Sequence, residues 1–155
     1  MANIDDIVIR KFTQADKGLV TAFFNQMNGE TRALFNQNDC NSIRAMKFFD
    51  ENKIDSEDFL AEYENEMAGY VFFMEFDTCI PWLGIAVSEK MKGKGLGKKL
   101  LRFAEHYAKE HKKGGILLIT HMANYRAQAL YTRAGYEYLG VHTSGQLLYL
   151  LRFSE

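Results

Sequence analysis

The chain has little of several things. Its 155 residues include one proline, Pro81, and two cysteines, Cys40 and Cys79. The cysteines lie far apart and make no CxxC pair, which argues against both a disulfide framework and a cysteine zinc site. Both read as packing residues. No apolar run approaches the ~20 residues that cross a bilayer, and Met1 to Asp6 lacks the basic-then-apolar pattern of a secretory leader. The expectation is a cytoplasmic protein with no membrane partner. A formal net charge of −1 gives no support to wholesale binding of nucleic acid. Repeats and low-complexity tracts are missing too. The length fits a single domain over residues 1–155 with one core.

What is present is alternation between strand and helix periods. Ile7–Phe12 reads as a first strand. Thr13 is placed to cap the amide of Asp16 and open a helix, in which Leu19, Val20, Phe23, Phe24 and Met27 repeat at helical spacing. Asn28-Gly29 ends it, and residues 30–41 read as a loop. Ser42 is placed to cap a second helix carrying Ile43, Met46 and Phe49. Asp58–Glu64 and Met67–Asp77 read as a hairpin turning at Asn65-Glu66. Leu83, Ile85 and Val87 alternate in the next strand. Leu96, Leu100, Phe103, Ala104, Tyr107 and Ala108 then form a strong helical stripe, stopped by Gly114-Gly115. Ile116–Thr120 is a short apolar strand suited to the middle of a sheet. Tyr125–Ala134 is a further helix ended by Gly135. Tyr136–His142 and Leu147–Phe153 close the chain as strands. The order β-α-α-β-β-β-α-β-α-β-β gives an α/β fold, a mixed central sheet with helices on both faces.

The informative segment is Lys92-Gly93-Lys94-Gly95-Leu96-Gly97-Lys98-Lys99, between a strand and a helix. Glycines let backbone amides approach a ligand, and a helix N-terminus adds unpaired N–H groups and partial positive charge. Together they suit a phosphate, and Lys90, Lys92, Lys94, Lys98 and Lys99 add charge around them. A Walker A loop needs Ser or Thr after Gly-Lys, where Lys99 stands. A dinucleotide fingerprint needs a third glycine at Lys98 and belongs to an opening βαβ unit. Both nucleotide readings fail, which leaves another phosphate ligand or a flexible lysine-rich loop.

Lys92 to Gly97 is similar to the coenzyme A signature of the GNAT superfamily of N-acetyltransferases, [Gln/Arg]-x-x-Gly-x-[Gly/Ala]. Lys92 replaces the usual planar donor at the first position. The run Asn124-Tyr125-Arg126-Ala127-Gln128-Ala129-Leu130-Tyr131-Thr132-Arg133-Ala134-Gly135-Tyr136 resembles the second signature of the same family, Asn-x-x-Ala-x-x-Leu-Tyr-x-x-x-Gly-[Phe/Tyr], at every defining position. The resemblance covers Leu83 to Tyr136; the first half of the chain matches in element order only. It implies transfer of an acetyl or short acyl group from acetyl-CoA to a primary amine, through a ternary complex. It also implies that amides of Gly93, Lys94, Gly95, Leu96, Gly97 and Lys98 hold the pyrophosphate. Ile85, Ala86 and Val87 would offer backbone to pantetheine across a splay from the following parallel strand. Asn124 would reach the pantetheine arm or cap its helix, Ala127 would leave room for the cofactor, and Tyr131 would protonate the departing thiolate.

Direct attack needs an uncharged amine, and free amines near pKa 10.4 are almost wholly protonated at pH 7. A general base is therefore useful. No carboxylate lies within Leu83–Val87. The candidates are His121, at the end of the other central strand, then Glu75, expected with Asp77 on the preceding strand. A structural role is the alternative for His121. Glu105, His106 and His111 have the wrong spacing for a zinc helix, so no metal is expected, and His142 reads as a surface residue. Asp50, Glu51, Asp55, Glu57, Asp58, Glu62, Glu64 and Glu66 make the expected acceptor side acidic, suited to a cationic acceptor or simply solvated. Arg32 and Arg44 suit a carboxylate instead. A homodimer is left open. The competing reading is a GNAT fold that binds or senses acyl-CoA without turnover.

Overall fold

A computed structural model describes residues 3–27, 40–54 and 56–154. The expectations at Asn28-Gly29, Arg32, the 30–39 loop and Asp55 fall outside these residues.

Among the described residues, seven strands form one sheet: β1 (Val8–Lys11), β2 (Asp58–Tyr63), β3 (Glu66–Met74), β4 (Trp82–Val87), β5 (Gly115–Thr120), β6 (Glu137–Val141) and β7 (Leu147–Arg152). Their spatial order is β1-β2-β3-β4-β5-β7-β6. All neighbours are antiparallel except β4 and β5, which run parallel. Among the described residues the helices are α1 (Lys17–Asn25), α2 (Cys40–Asp50), α3 (Leu96–Glu110) and α4 (Tyr125–Arg133). The element order agrees with the one read from periodicity.

Alternation sorts the sheet into two faces, each with its own core. Val71 and Phe73 of β3, Leu83 of β4, and Ile116 and Leu118 of β5 pack under Leu96, Leu100, Ala104 and Ala108 of α3 and Tyr131 of α4. On the opposite face Tyr70, Phe72 and Ala86 pack under Phe23 and Phe24 of α1 and Phe48 and Phe49 of α2. The unbroken apolar sequence of β3 follows from this double coverage, since its Met67–Phe73 stretch is buried throughout.

Several local expectations change. The hairpin turns one residue earlier than expected, at Glu64 (φ 51°) and Asn65 (φ 64°), the paired left-handed geometry that matches strand twist in a two-residue loop. Strand β3 stops at Met74. Glu75 follows at φ 54°, and a left-handed residue cannot continue the ladder, so Glu75 and Asp77 sit in the β3–β4 turn and not on the strand. Thr13 and Asp16 form a reciprocal capping box, in which the Asp16 carboxylate also accepts from the Thr13 N–H at 2.7 Å and hydroxyl at 3.0 Å. Arg10 clamps the same carboxylate with two bonds of 2.8 Å. Ser42 lies inside α2, which already begins at Cys40.

Candidate active site

Strands β4 and β5 share a single register pair, Trp82 with Leu117. Beyond it they diverge toward Val87 and Thr120, while each keeps a full antiparallel ladder on its other side. The facing edges therefore present backbone N–H and C=O groups to a cavity of about 1590 Å³. Ile85, Ala86 and Val87 line it on one side and Ile119, Thr120 and His121 on the other. The cavity has two arms, one on each face of the sheet, joined through the splay.

The first arm runs between α3 and α4 and is basic. Gly93 (φ +76°) and Gly95 (φ +89°) are left-handed, with nothing within 4 Å of where a Cβ would stand. A side chain would be strained at both positions and would project into the space over the loop. The bond from the Lys99 N–H to the Gly95 carbonyl, 3.1 Å, is one turn into α3. The amides of Leu96, Gly97 and Lys98 precede it at the positive end of the helix dipole. Gly97 also has a packing reason: a Cβ there would come 2.8 Å from Leu130 Cδ2, so α3 and α4 touch at this point.

The lysines divide. Lys98 and Lys92 line the arm, but Lys92 Nζ is held by Glu89 at 3.0 Å. Lys90 pairs with Glu66 at 3.3 Å. Lys99 turns away to bind the carbonyls of Ile4 and Ile7 at 2.8 and 2.6 Å, so it ties down the N-terminal segment and adds no donor to the loop. Arg102 and Lys109 of α3 and Arg126 and Arg133 of α4 line the same arm. These were not singled out from the sequence, although Arg126 and Arg133 lie two helical turns apart, with Leu130 between them on the cavity wall.

Asn124, Ala127 and Tyr131 all line the cavity. Asn124 Oδ1 accepts the Ala127 N–H at 3.2 Å, so the residue caps α4. Tyr131 is buried between the rings of Tyr136 and Tyr149, 5.9 and 5.8 Å away between centroids. Burial, helped by Tyr149, pushes its phenol pKa well above 10, so the hydroxyl keeps its proton through the neutral range. Tyr136 is shifted the same way, chiefly by burial, and its buried hydroxyl has no hydrogen-bond partner among the described residues. A buried hydroxyl without a partner is costly, and this one lies on the wall of the arm.

The second arm lies on the α1–α2 face, and among the described residues no carboxylate lines it. Asn41, Phe72, Gly84, Ile119, His121 and Gln146 line it. A Cβ on Gly84 would stand 2.2 Å from Phe72 Cζ. The absence of a side chain at Gly84 is what lets the Phe72 ring lie against β4. Arg44 sits over that ring at 4.8 Å and bonds the Phe73 carbonyl at 2.8 Å. Gln146 belongs to the β6–β7 turn. That turn is folded over this face by the edge contact of His142 with Trp82, 5.7 Å between centroids.

His121 is brought to the cavity and Glu75 is not. The Nδ1 of His121 accepts the Ala123 N–H at 3.1 Å. A neutral imidazole with that lone pair engaged carries its proton on Nε2, so in this arrangement the ring offers a donor and no free base. Glu75 is exposed in the turn beside Trp82, at the closed end of the β4–β5 pair and away from the splay. Of the acidic residues expected around the acceptor side, those described do not line the cavity either. Among the described residues its only carboxylate is Glu105, on α3 in the basic arm. No group of side chains suited to hold a metal occurs among the described residues, and no described helix is long and apolar enough to cross a membrane.

A model of the Acetyltransferase (GNAT) family matches residues 22–136. No curated protein matches the chain. Among solved structures, the PaiA N-acetyltransferase of Thermoplasma acidophilum, determined in complex with coenzyme A, is 17% identical with a TM-score of 0.77, over 95% of this chain and 99% of that one. The GNAT domain of S. lividans PAT is 16% identical with a TM-score of 0.78, over 94% and 89%. A domain from Methanocaldococcus jannaschii is 16% identical with a TM-score of 0.76, over 95% and 98%. At these identities the likeness establishes the fold.

Proposed function

The chain belongs to the GNAT acetyltransferase family, and from that premise we propose that it moves an acetyl or short acyl group from acyl-CoA to a primary amine. The single observation that carries this reading is the β4–β5 splay, closed at Trp82–Leu117 and opening between the glycine loop on one face and a chamber under α1 and α2 on the other.

The basic arm fits acetyl-CoA. Amides of Gly93 to Lys98 cradle the pyrophosphate at the N-terminus of α3, and Lys98, Arg126 and Arg133 supply long-range charge. The pantetheine amides take the place of the missing rungs between β4 and β5, which brings the thioester to the splay. The amine enters from the α1–α2 face and attacks the thioester carbonyl. The C–N bond forms, and an N–H group of the β4 edge carries the oxyanion, a contribution of roughly 3–4 kcal/mol in comparable acyl transfers. The C–S bond then breaks. Tyr131, protonated and on the wall beside α4, donates to the departing thiolate; the amine's proton leaves to solvent, and a proton from solvent restores the Tyr131 hydroxyl.

One observation favours a second reading, a module that binds acyl-CoA without turnover: no base is poised in the acceptor arm, where His121 is a donor and no carboxylate lines the described wall. A thiol-release assay with acetyl-CoA across a panel of amines decides between them. Turnover with any amine supports the enzyme; tight acetyl-CoA binding with no turnover on the whole panel supports the module. Failure of acetyl-CoA to bind, while ATP or NAD raises the melting temperature, sinks both.

A further inference from the structure

Five of the acidic side chains expected near the acceptor side, Glu51, Glu57, Asp58, Glu62 and Glu66, have partners outside the cavity. Asp58 accepts from the Tyr70 hydroxyl at 2.5 Å and lies 3.8 Å from Arg44. Glu62 binds Arg10 at 3.0 Å, Glu51 lies 3.3 Å from Lys53, and Glu57 accepts from the Tyr107 hydroxyl. With Glu66 on Lys90, these carboxylates are committed to the sheet and its surface. Among the described residues the chamber has Phe72, Met74, Ala86 and Ile119 as apolar wall and Asn41, His121 and Gln146 as polar groups, with no carboxylate.

We propose that the acceptor is a primary amine on an apolar body with no second positive charge. The proposal rests on the acyl-transfer reading and narrows its substrate. A chamber of this kind desolvates the ammonium form and offers it no counter-charge, so the bound amine loses its proton more readily than in water. This supplies the neutral nucleophile that a catalytic base would otherwise generate. The apolar body gains from burial against Phe72, Met74 and Ile119. A polyamine or aminoglycoside would carry further ammonium groups into the same wall with nothing to pair them.

The test uses the full chain with acetyl-CoA and three amines: 2-phenylethylamine, hexylamine and spermidine. Thiol release should give the two monoamines a kcat/KM at least about 10-fold above spermidine. Gln146→Glu places a carboxylate in the β6–β7 turn without disturbing the core, and should narrow that ratio by about 10-fold or invert it. Met74→Ala, at the half-exposed end of β3, should lower the monoamine values about 3-fold and leave spermidine unchanged. Equal or better turnover of spermidine by the native protein overturns the proposal while leaving acyl transfer standing. If none of the three amines turns over, the proposal is overturned, and acyl transfer itself stands or falls on the wider amine panel.

Discussion

The basic arm of the cavity is built mostly from backbone and one short stretch of chain; the acceptor arm is built from side chains delivered by five elements. Gly93 to Lys98 and the first turn of α3 make an anion site wherever they occur, because the amides and the helix dipole are local properties. Phe72 on β3, Gly84 on β4, Ile119 on β5, Asn41 on α2 and Gln146 in the β6–β7 turn mean nothing together until the sheet is folded. On the proposed reading, the first arm holds the donor common to the family and the second selects the acceptor.

The sharpest break in that comparison is Gly95→Asp. The residue is left-handed at φ +89°, and a carboxylate there faces the phosphate site. Acetyl-CoA affinity should fall by about 10³-fold or more in calorimetry, against a loss of stability near 1 kcal/mol from the strained backbone. Unchanged affinity would remove the loop from the site. Next comes Tyr131→Phe, which keeps the ring and deletes the hydroxyl. We expect kcat to fall by about 10²-fold, with acetyl-CoA affinity within a few-fold of native. An acyl donor with a much more acidic thiol should be nearly insensitive. Since burial holds the Tyr131 phenol well above 10, the native kcat should show no falling limb from this group up to about pH 10. A native rate in the variant ends the assignment.

A change remote from both arms serves as the contrast. Asp16→Asn breaks the clamp with Arg10, whose side chain is 32% exposed against 5% for Asp16. Discounted for that exposure, the cost should be about 2 kcal/mol in urea unfolding, with kinetic constants unchanged at 25 °C. The bonds from Arg10, foremost, hold the Asp16 pKa below its ordinary 3.8, against an opposing effect of burial. Its contribution is therefore complete above pH 3.8 and lost as pH falls below that value toward the folded pKa. Melting temperature should fall on acidification below pH 4 more steeply in the native chain than in the variant. The smallest effect belongs to Lys92→Ala: with the ammonium already held by Glu89, acetyl-CoA affinity should change by less than about 3-fold. A larger loss would mean that Lys92 leaves Glu89 for the phosphate.

The same division explains what the sequence disclosed. Element order and the position of the glycine loop follow from period and local chemistry, and they are where expected; the single core expected from the length is divided by the sheet into two. The roles of Lys90, Lys92 and Lys99 were not legible, because Glu66, Glu89 and the Ile4–Ile7 carbonyls reach them through tertiary contacts. Glu75 was misplaced for a local reason that composition hides, a single left-handed residue ending β3. His121 was located correctly, but its donor character depends on the turn that presents the Ala123 N–H. The acidic run from Asp50 to Glu66 suited either a cationic acceptor or a solvated face, and the sequence could not show that Arg10, Tyr70 and Lys90 engage Glu62, Asp58 and Glu66.

A seven-stranded sheet held at its middle by one residue pair is mechanically two sheets. Strands β1 to β4 form one slab and β5, β7 and β6 the other, with α3 as the strap between them. Each slab can open and reclose on its own account, so amide hydrogen exchange should separate into two populations along the Trp82–Leu117 line. A molecule that bridges both edges joins the slabs into a single cooperative unit. Acetyl-CoA should then slow exchange at Ile9 and Tyr149, on opposite slabs and outside the splay, by a common factor set by its concentration over its dissociation constant.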